Sequence, residues 1–191
     1  MKKAILSLSF LFVFALAYSQ DYSFRFGAKA GLNYSDLKSG GGYDYSLYHG
    51  YTVGAFTEMR KASLKDFFLR GGVNFSQRGV TYSKEETVNK YLEVPIQLGY
   101  KYKATSFLNI YALAGPSVQF RMYGNAYMKG FSDHEIETQK FIAAGEANIG
   151  FEFLKHIQLE GGYQYGFTPD YKSSSFSGNN STFNLTVGLA F

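Results

Sequence analysis

Cysteine and tryptophan are absent from this 191-residue chain, and only three prolines occur. Without cysteine the fold has no disulfide scaffold, and no lipid-bearing cysteine follows the apolar N-terminal segment. Beyond that segment no apolar run reaches the roughly 20 residues that a membrane-spanning helix needs. The sequence therefore excludes a disulfide-stapled exported domain, a lipoprotein and a helical membrane protein.

Signatures of catalysis are also missing. The chain has no G-x-S-x-G elbow, no H-E-x-x-H pair and no phosphate-binding glycine loop, and its three histidines lack metal-ligand spacing. The one candidate for an enzyme is Ser132-Asp133-His134-Glu135 in a polar stretch, but adjacent residues rarely converge into a catalytic triad. We expect no enzyme activity, no cofactor and no metal. The net charge of +4 comes from scattered residues, so we expect no nucleic-acid binding.

The N-terminus has the pattern of an export signal. Lys2 and Lys3 precede an apolar run that is too short to span a bilayer. Ala17 and Ser19 are small residues in the spacing that signal peptidase reads. We expect residues 1–19 to be a cleaved signal peptide of the general secretory route, and residues 20–191 to form the mature domain.

The rest of the chain favours β-structure. It is rich in tyrosine, phenylalanine and glycine, with 17, 19 and 21 of each. In the clearest block Leu92, Val94, Ile96 and Leu98 alternate with polar or turn-prone residues, which is the period of a strand with two different faces. Similar blocks occupy residues 24–35, 51–60, 67–76, 91–103, 108–121, 141–153, 157–168 and 183–191. They predict an all-β, antiparallel up-and-down barrel of about eight strands.

Alternation alone does not say which face is inside, because a soluble lipocalin-like barrel would turn its apolar face inward. The connectors favour a membrane barrel. Long polar connectors are expected at residues 37–49, 79–90, 124–140 and 169–180, and short turns at 61–65, 104–106 and 154–156. Long loops at one end and tight turns at the other are typical of outer-membrane barrels.

Aromatic residues gather at the ends of the predicted strands, as in the interfacial girdles of membrane barrels. Tyrosine and phenylalanine are common in strands generally, so any single position carries little weight. The expected girdle at the long connectors contains Tyr34, Tyr51, Phe120, Tyr123, Phe141 and Phe167. The expected girdle at the turns contains Phe24, Phe67, Tyr102, Phe107, Phe153 and Phe191.

Two segments carry a family resemblance. Tyr91-Leu92-Glu93-Val94-Pro95, followed by Gly99-Tyr100-Lys101-Tyr102 and by the stretch Tyr111 to Gly115-Pro116, resembles the PorT-like outer-membrane β-barrel family, and so does Asn74 to Gly79. The resemblance implies a bacterial outer-membrane barrel, with Tyr91, Glu93, Pro95, Gly115 and Pro116 as its motif residues. It also implies that Phe191 is the terminal aromatic that the barrel-assembly machinery recognises. The name PorT belongs to a secretion component.

With the apolar face toward lipid, the polar face points into the lumen, where a charge needs a partner. We expect Glu93 to pair with Arg78, Arg121 or both near the end with the long connectors, in a lumen network that also includes Lys101 and Glu146. At the end with the short turns the residues expected to share the interior are Lys101, Lys103, Arg25 and Arg70 with Glu58, Glu152 and Glu160. Because Pro95 cannot donate a ladder hydrogen bond, we expect a bulge or bend there.

Three functions remain open at this stage. The first is a structural or interaction barrel that serves surface binding or assists secretion; the second is a narrow channel; the third is an enzyme with its site on the outer rim. About eight strands leave room only for side chains, so a general diffusion porin is not expected. The expected partners are outer-membrane lipid, the assembly machinery during biogenesis and an unidentified secretion or surface partner.

Overall fold

The protein is an all-β closed barrel in the computed structural model, which describes residues 21–39, 48–82, 85–124, 137–169, 171–172 and 177–191. The expected signal peptide and the segment Ser132 to Glu135 lie outside the described residues. In the described part no helix is long and apolar enough to cross a membrane.

Eight long strands form the barrel, and each pairs antiparallel with its neighbours. They are β1 (Tyr22–Ser39), β2 (Tyr48–Lys61), β3 (Phe67–Tyr82), β4 (Glu85–Lys103), β5 (Leu108–Gly124), β7 (Phe141–Phe153), β8 (Ile157–Gly166) and β10 (Ser177–Ala190). Two-residue strands, β6 (Glu137–Thr138) and β9 (Tyr171–Lys172), pair with each other beside β10. The pairing of β1 with β10 closes the ring, and Phe26 and Phe191 exchange two backbone hydrogen bonds at the seam.

The side-chain alternation has the apolar face outside. Leu98 is 60% exposed and Ile149 is 63% exposed, whereas Gln97 is 1% exposed and Glu58 is fully buried. This is the reverse of a soluble barrel, in which apolar side chains would fill the interior. The predicted lipid-facing orientation of the apolar faces is therefore confirmed, and the interior is polar.

Short turns join the strands at one end, which we call the turn end; both described chain ends, Asp21 and Phe191, lie there. In the turn between β7 and β8, Leu154 and Lys155 have φ angles of 52° and 63°. This left-handed backbone is unusual for residues other than glycine, asparagine and aspartate. The amide of His156 donates to the Phe153 carbonyl at 3.0 Å, and the guanidinium of Arg25 donates to the Lys155 carbonyl. Those two bonds stabilise the turn.

At the opposite end, the long-connector end, the strands continue further than predicted. The long connector expected at residues 79–90 is wrong, because β3 runs to Tyr82 and β4 begins at Glu85. Strand β1 likewise runs to Ser39 and β10 begins at Ser177, inside connectors that were expected to be loops. Beyond the lipid both faces of a strand meet polar surroundings, so the apolar alternation that marks a membrane strand is lost there.

The aromatic side chains form bands near both ends of the barrel. At the long-connector end the rings of Phe120 and Phe141 lie 5.5 Å apart, and those of Tyr34 and His49 lie 5.2 Å apart. At the turn end Phe67 and Tyr100 lie 5.2 Å apart. Most of the expected girdle residues are exposed on the outer surface; Tyr34 and Phe24 are half-buried there. The positions match the two predicted girdles.

Candidate functional site: the charged lumen

The lumen at the turn end is crossed by ion pairs. Arg70 on β3 donates from Nη1 to Glu160 Oε2 on β8 at 2.5 Å, and from Nη2 to Glu58 Oε1 on β2 at 2.7 Å. Strands β3 and β8 stand opposite each other in the eight-strand ring. The side chains of Arg70 and Glu160 together therefore bridge the lumen.

Glu58 is the most heavily contacted acid of this group. Besides Arg70, its carboxylate accepts from Arg25 Nη1 at 3.2 Å, from Lys101 Nζ at 3.3 Å and from Gln158 Nε2 at 3.1 Å. Four strands in addition to its own, β1, β3, β4 and β8, thus converge on one buried carboxylate. Removing it would leave several cations without adequate compensation in a site away from bulk water.

A second acid, Glu152, completes the group. It accepts from Lys101 Nζ at 2.6 Å, from Arg25 Nη1 at 2.9 Å and from Asn109 Nδ2 at 2.9 Å. Lys29 Nζ reaches Glu160 Oε1 at 3.3 Å. We call these seven side chains the turn-end cluster: Arg25, Lys29, Glu58, Arg70, Lys101, Glu152 and Glu160. Lys101 is thereby located in the predicted lumen network.

Aromatic rings enclose the Arg70 guanidinium. Its central carbon lies 4.6 Å from the centre of the Phe56 ring, 5.7 Å from that of Phe68 and 5.1 Å from that of Tyr111, distances at which a cation is attracted to the ring face. The Tyr111 hydroxyl also donates to Glu160 at 3.1 Å. Sequence reasoning did not identify this cage. The feature of the sequence that could have indicated the cage is the presence of Phe56 and Phe68 on strand faces that are otherwise polar.

Nearer the long-connector end, Arg78 pairs with Glu93. Arg78 is one of the two partners predicted for Glu93. Arg78 also donates to Gln119 Oε1 and to Ser76 Oγ, each at 3.2 Å. Both charged side chains are buried. The other candidate, Arg121, is half-buried opposite Tyr91, and its pairing with Glu93 stays a prediction.

Glu146 lies in the lumen as predicted, but amides surround it. Gln97 Nε2 donates to one of its oxygens at 2.9 Å, and Gln164 donates to the other. Among the described residues no cation lies within ion-pair distance of this carboxylate. It therefore differs from Glu58 and Glu160, whose charges are directly neutralised.

The motif residues have a backbone role at the contact between β4 and β5. A Cβ atom on Gly115 would lie 2.1 Å from the Ile96 carbonyl oxygen, so the two strands approach too closely for a side chain there. Of the bulge or bend expected at Pro95, the bulge is wrong: the register shift lies between Lys90 and Tyr91. The bend stays a prediction. The register is the same on both sides of Pro95. Val94 and Pro95 do not pair with residues of β3, because proline has no N–H to donate to the ladder.

The remaining motif positions fit the same contact. Tyr91 and Pro95 face the lumen, and the Tyr91 side chain is 1% exposed. Pro116, next to Gly115, is exposed on the outer surface, opposite the stretch of β4 where the ladder is interrupted. The motif thus describes how two membrane strands pack.

Beyond the aromatic band, β3 with β4 and β1 with β10 continue as paired strands. Residues 76–82 of β3 pair with residues 85–91 of β4, and residues 35–39 of β1 pair with residues 178–182 of β10. Strands β3 and β4 have 16 and 19 residues, more than the roughly 9 to 11 that cross a bilayer. We call this part the extended wall. Beside this wall, Gln77 Nε2 on β3 donates to the Tyr48 hydroxyl on the adjacent strand β2 at 2.5 Å.

The described residues contain no group of three or more histidine, cysteine or acidic side chains that could hold a metal ion. Phe191, the expected assembly signal, is 74% exposed in the turn-end aromatic band, with its ring 5.9 Å from that of His156. Its role in assembly stays a prediction.

Solved structures with the same architecture are outer-membrane proteins. OprG from Pseudomonas aeruginosa has a TM-score of 0.54 at 12% identity, covering 88% of this chain and 96% of that one. Neisserial surface protein A has a TM-score of 0.53 at 16% identity, covering 89% and 99%. Ail, the attachment invasion locus protein of Yersinia pestis, solved with the heparin analogue sucrose octasulfate, has a TM-score of 0.50 at 15% identity, covering 88% and 99%.

No curated protein sequence matches the chain significantly. The model of one family does match it, across residues 5–191, and the description of that family agrees with the lipid-facing apolar surface, the polar lumen and the eight-strand closure. The chain belongs to the outer membrane protein beta-barrel domain family and is a small barrel of the bacterial outer membrane.

Proposed function

We propose that this protein is a closed barrel whose long-connector end is a binding surface, and that it neither conducts solutes nor catalyses a reaction. The observation that carries the proposal is the Arg70 bridge from Glu58 to Glu160, which joins opposite walls of the lumen. A solute crossing the barrel would have to separate these buried ion pairs, at a cost of several kcal/mol for each pair.

The extended wall supports the second part of the proposal. The strands that continue past the aromatic band form a surface away from the lipid, at the long-connector end. Proteins place binding residues on loops held by a rigid scaffold. In the membrane the long-connector end faces outward, and both termini face the periplasm because an even number of strands returns the chain to its starting side.

The PorT-like motif supports the fold more than a particular role. Gly115 is explained by its close approach to Ile96, and Glu93 by its pair with Arg78. We propose that a secretion component is one class of partner for the outer surface, met after export by the general secretory route and insertion by the assembly machinery.

Site-specific photocrosslinking in the native membrane tests the binding surface. The photoreactive residue replaces exposed Tyr123 or Lys140 at the long-connector end, and Leu64 in a turn serves as the control. The proposal expects discrete protein adducts from Tyr123 and Lys140 that Leu64 does not give. Adducts from Leu64 alone would contradict it, as would an absence of adducts at all three sites.

Cysteine labelling checks the orientation separately. Lys140→Cys should react with a membrane-impermeant reagent on intact cells, while Ser63→Cys, in the turn between β2 and β3, should react only after lysis. Labelling of Ser63→Cys alone on intact cells would invert the orientation.

A further inference from the structure

The turn end of the barrel opens into a polar pocket of about 390 Å³. Small-molecule sites typically occupy about 300 to 1,000 Å³, so the volume suits a compact ligand. Six cations line it, namely Arg25, Arg60, Lys65, Lys101, Lys103 and Lys155, and the acids that line it are Asp66 and Glu152. The lining therefore carries 6 − 2 = +4 charges. We call this pocket the basic mouth.

Glu152, one of the two acids that line the basic mouth, is already engaged; the other, Asp66, is exposed and forms no ion pair with a described residue. Glu152 accepts hydrogen bonds on both oxygens, from Asn109 on one and from Arg25 and Lys101 on the other. Glu58, which lies behind the pocket, is shared among four cations. Both carboxylates are thus shared with side chains inside the lumen, and neither forms an ion pair with Lys65, Lys103 or Lys155.

Three of the lysines lack an ion-pair partner, and Arg60 has only a long contact. Lys65, Lys103 and Lys155 are exposed and form no ion pair with a described residue. Arg60 lies 3.6 Å from Glu58 and 5.3 Å from the centre of the Phe68 ring, and its Nε and Nη2 atoms are buried without a hydrogen bond. Like charges gathered around a recess of low dielectric constant produce a field that concentrates anions.

We propose that the basic mouth binds a compact polyanion that carries phosphate groups. Two phosphate groups bring about four negative charges in a small volume, which suits the net charge and the size of the pocket. Lysine ammonium groups bind phosphate as point charges. The phosphate belongs either to a soluble compound on this side of the membrane or to a phospholipid headgroup beside the rim. The site is at the opposite end from the proposed binding surface and does not depend on it.

Pyrophosphate is the probe for this site. Titration calorimetry uses the full folded barrel in nanodiscs of phosphatidylcholine at low ionic strength, since screening weakens such contacts. Lys103→Gln removes one rim charge and leaves the turn-end cluster intact; Lys140→Gln, an exposed lysine at the other end, is the matched control. Circular dichroism and heat-dependent gel mobility establish that each variant is folded.

The proposal expects pyrophosphate to bind the wild type, Lys103→Gln to weaken binding about tenfold because a charged hydrogen bond is lost, and Lys140→Gln to leave it unchanged. Discs containing phosphatidylglycerol identify the source: unchanged affinity indicates a soluble phosphate, and competition indicates a headgroup. Absence of pyrophosphate binding by the folded wild type would overturn the site. An equal loss in Lys103→Gln and Lys140→Gln would also overturn it, because binding would then follow overall charge alone.

Discussion

Arg70 and Glu160 join opposite strands of the barrel through a contact of 2.5 Å between Nη1 and Oε2. The same guanidinium holds Glu58 and lies among the rings of Phe56, Phe68 and Tyr111. Buried ion pairs are weak evidence for net stability, because desolvation offsets their attraction, but breaking one by removing a single partner is costly. In the proposed function, the turn-end cluster acts mainly by fixing the lumen in one closed arrangement.

Glu58→Gln should destabilise the folded barrel by about 3 to 5 kcal/mol, because four cations would lose a shared buried counter-charge. Glu146→Gln is the matched control, since two amides rather than cations contact that carboxylate, and its cost should be much smaller. Urea unfolding from lipid vesicles measures both. Equal losses would show that the two glutamates have the same role.

The pair of Arg78 and Glu93 should show a clear coupling energy in a double-mutant cycle. Each single alanine variant leaves one buried charge, at a cost of about 3 to 5 kcal/mol, or less if water enters the lumen, and the double variant should cost less than the sum of the two. The cycle of Glu93→Ala with Lys101→Ala should be additive, because Lys101 contacts Glu58 and Glu152 instead. Additivity of the Arg78 cycle would remove the assignment.

Gly115→Ala should destabilise the barrel by about 1 to 3 kcal/mol, because the new methyl group would overlap the Ile96 carbonyl of the adjacent strand. Gly71→Ala is the control, since a Cβ atom at Gly71 meets nothing within 4 Å. Both variants replace glycine by alanine and differ only in position, and urea unfolding measures the free energy of unfolding of each. A larger loss for Gly71→Ala would contradict the close approach of β4 and β5.

Leu98→Arg should cost about 2 to 4 kcal/mol, because it places a charge on the lipid face, where Leu98 is 60% exposed. Gln97→Arg, one position away, points into the lumen beside Glu146 and should be far milder. Folding yield and unfolding free energy in lipid bilayers compare them. Equal penalties would favour a soluble barrel with its faces reversed.

The sequence was sufficient for the strand pattern but not for the contacts across the lumen. The alternation at Leu98 and Gln97 reflects lipid on one side and a polar interior on the other, so it predicts the membrane part of each strand. Which residues face each other across the ring depends on the stagger between strands, and alternation contains no information about stagger. The bridge from Arg70 to Glu160 was therefore beyond prediction, whereas the neighbouring pair of Arg78 and Glu93 was within reach.

Conductance of the purified protein in planar lipid bilayers tests the closed lumen most directly. The account predicts no steady current for the wild type across a range of voltages, and appearance of openings when Arg70→Ala removes the bridge between Glu58 and Glu160. Large, steady openings of the wild-type protein, unchanged by Arg70→Ala, would contradict it.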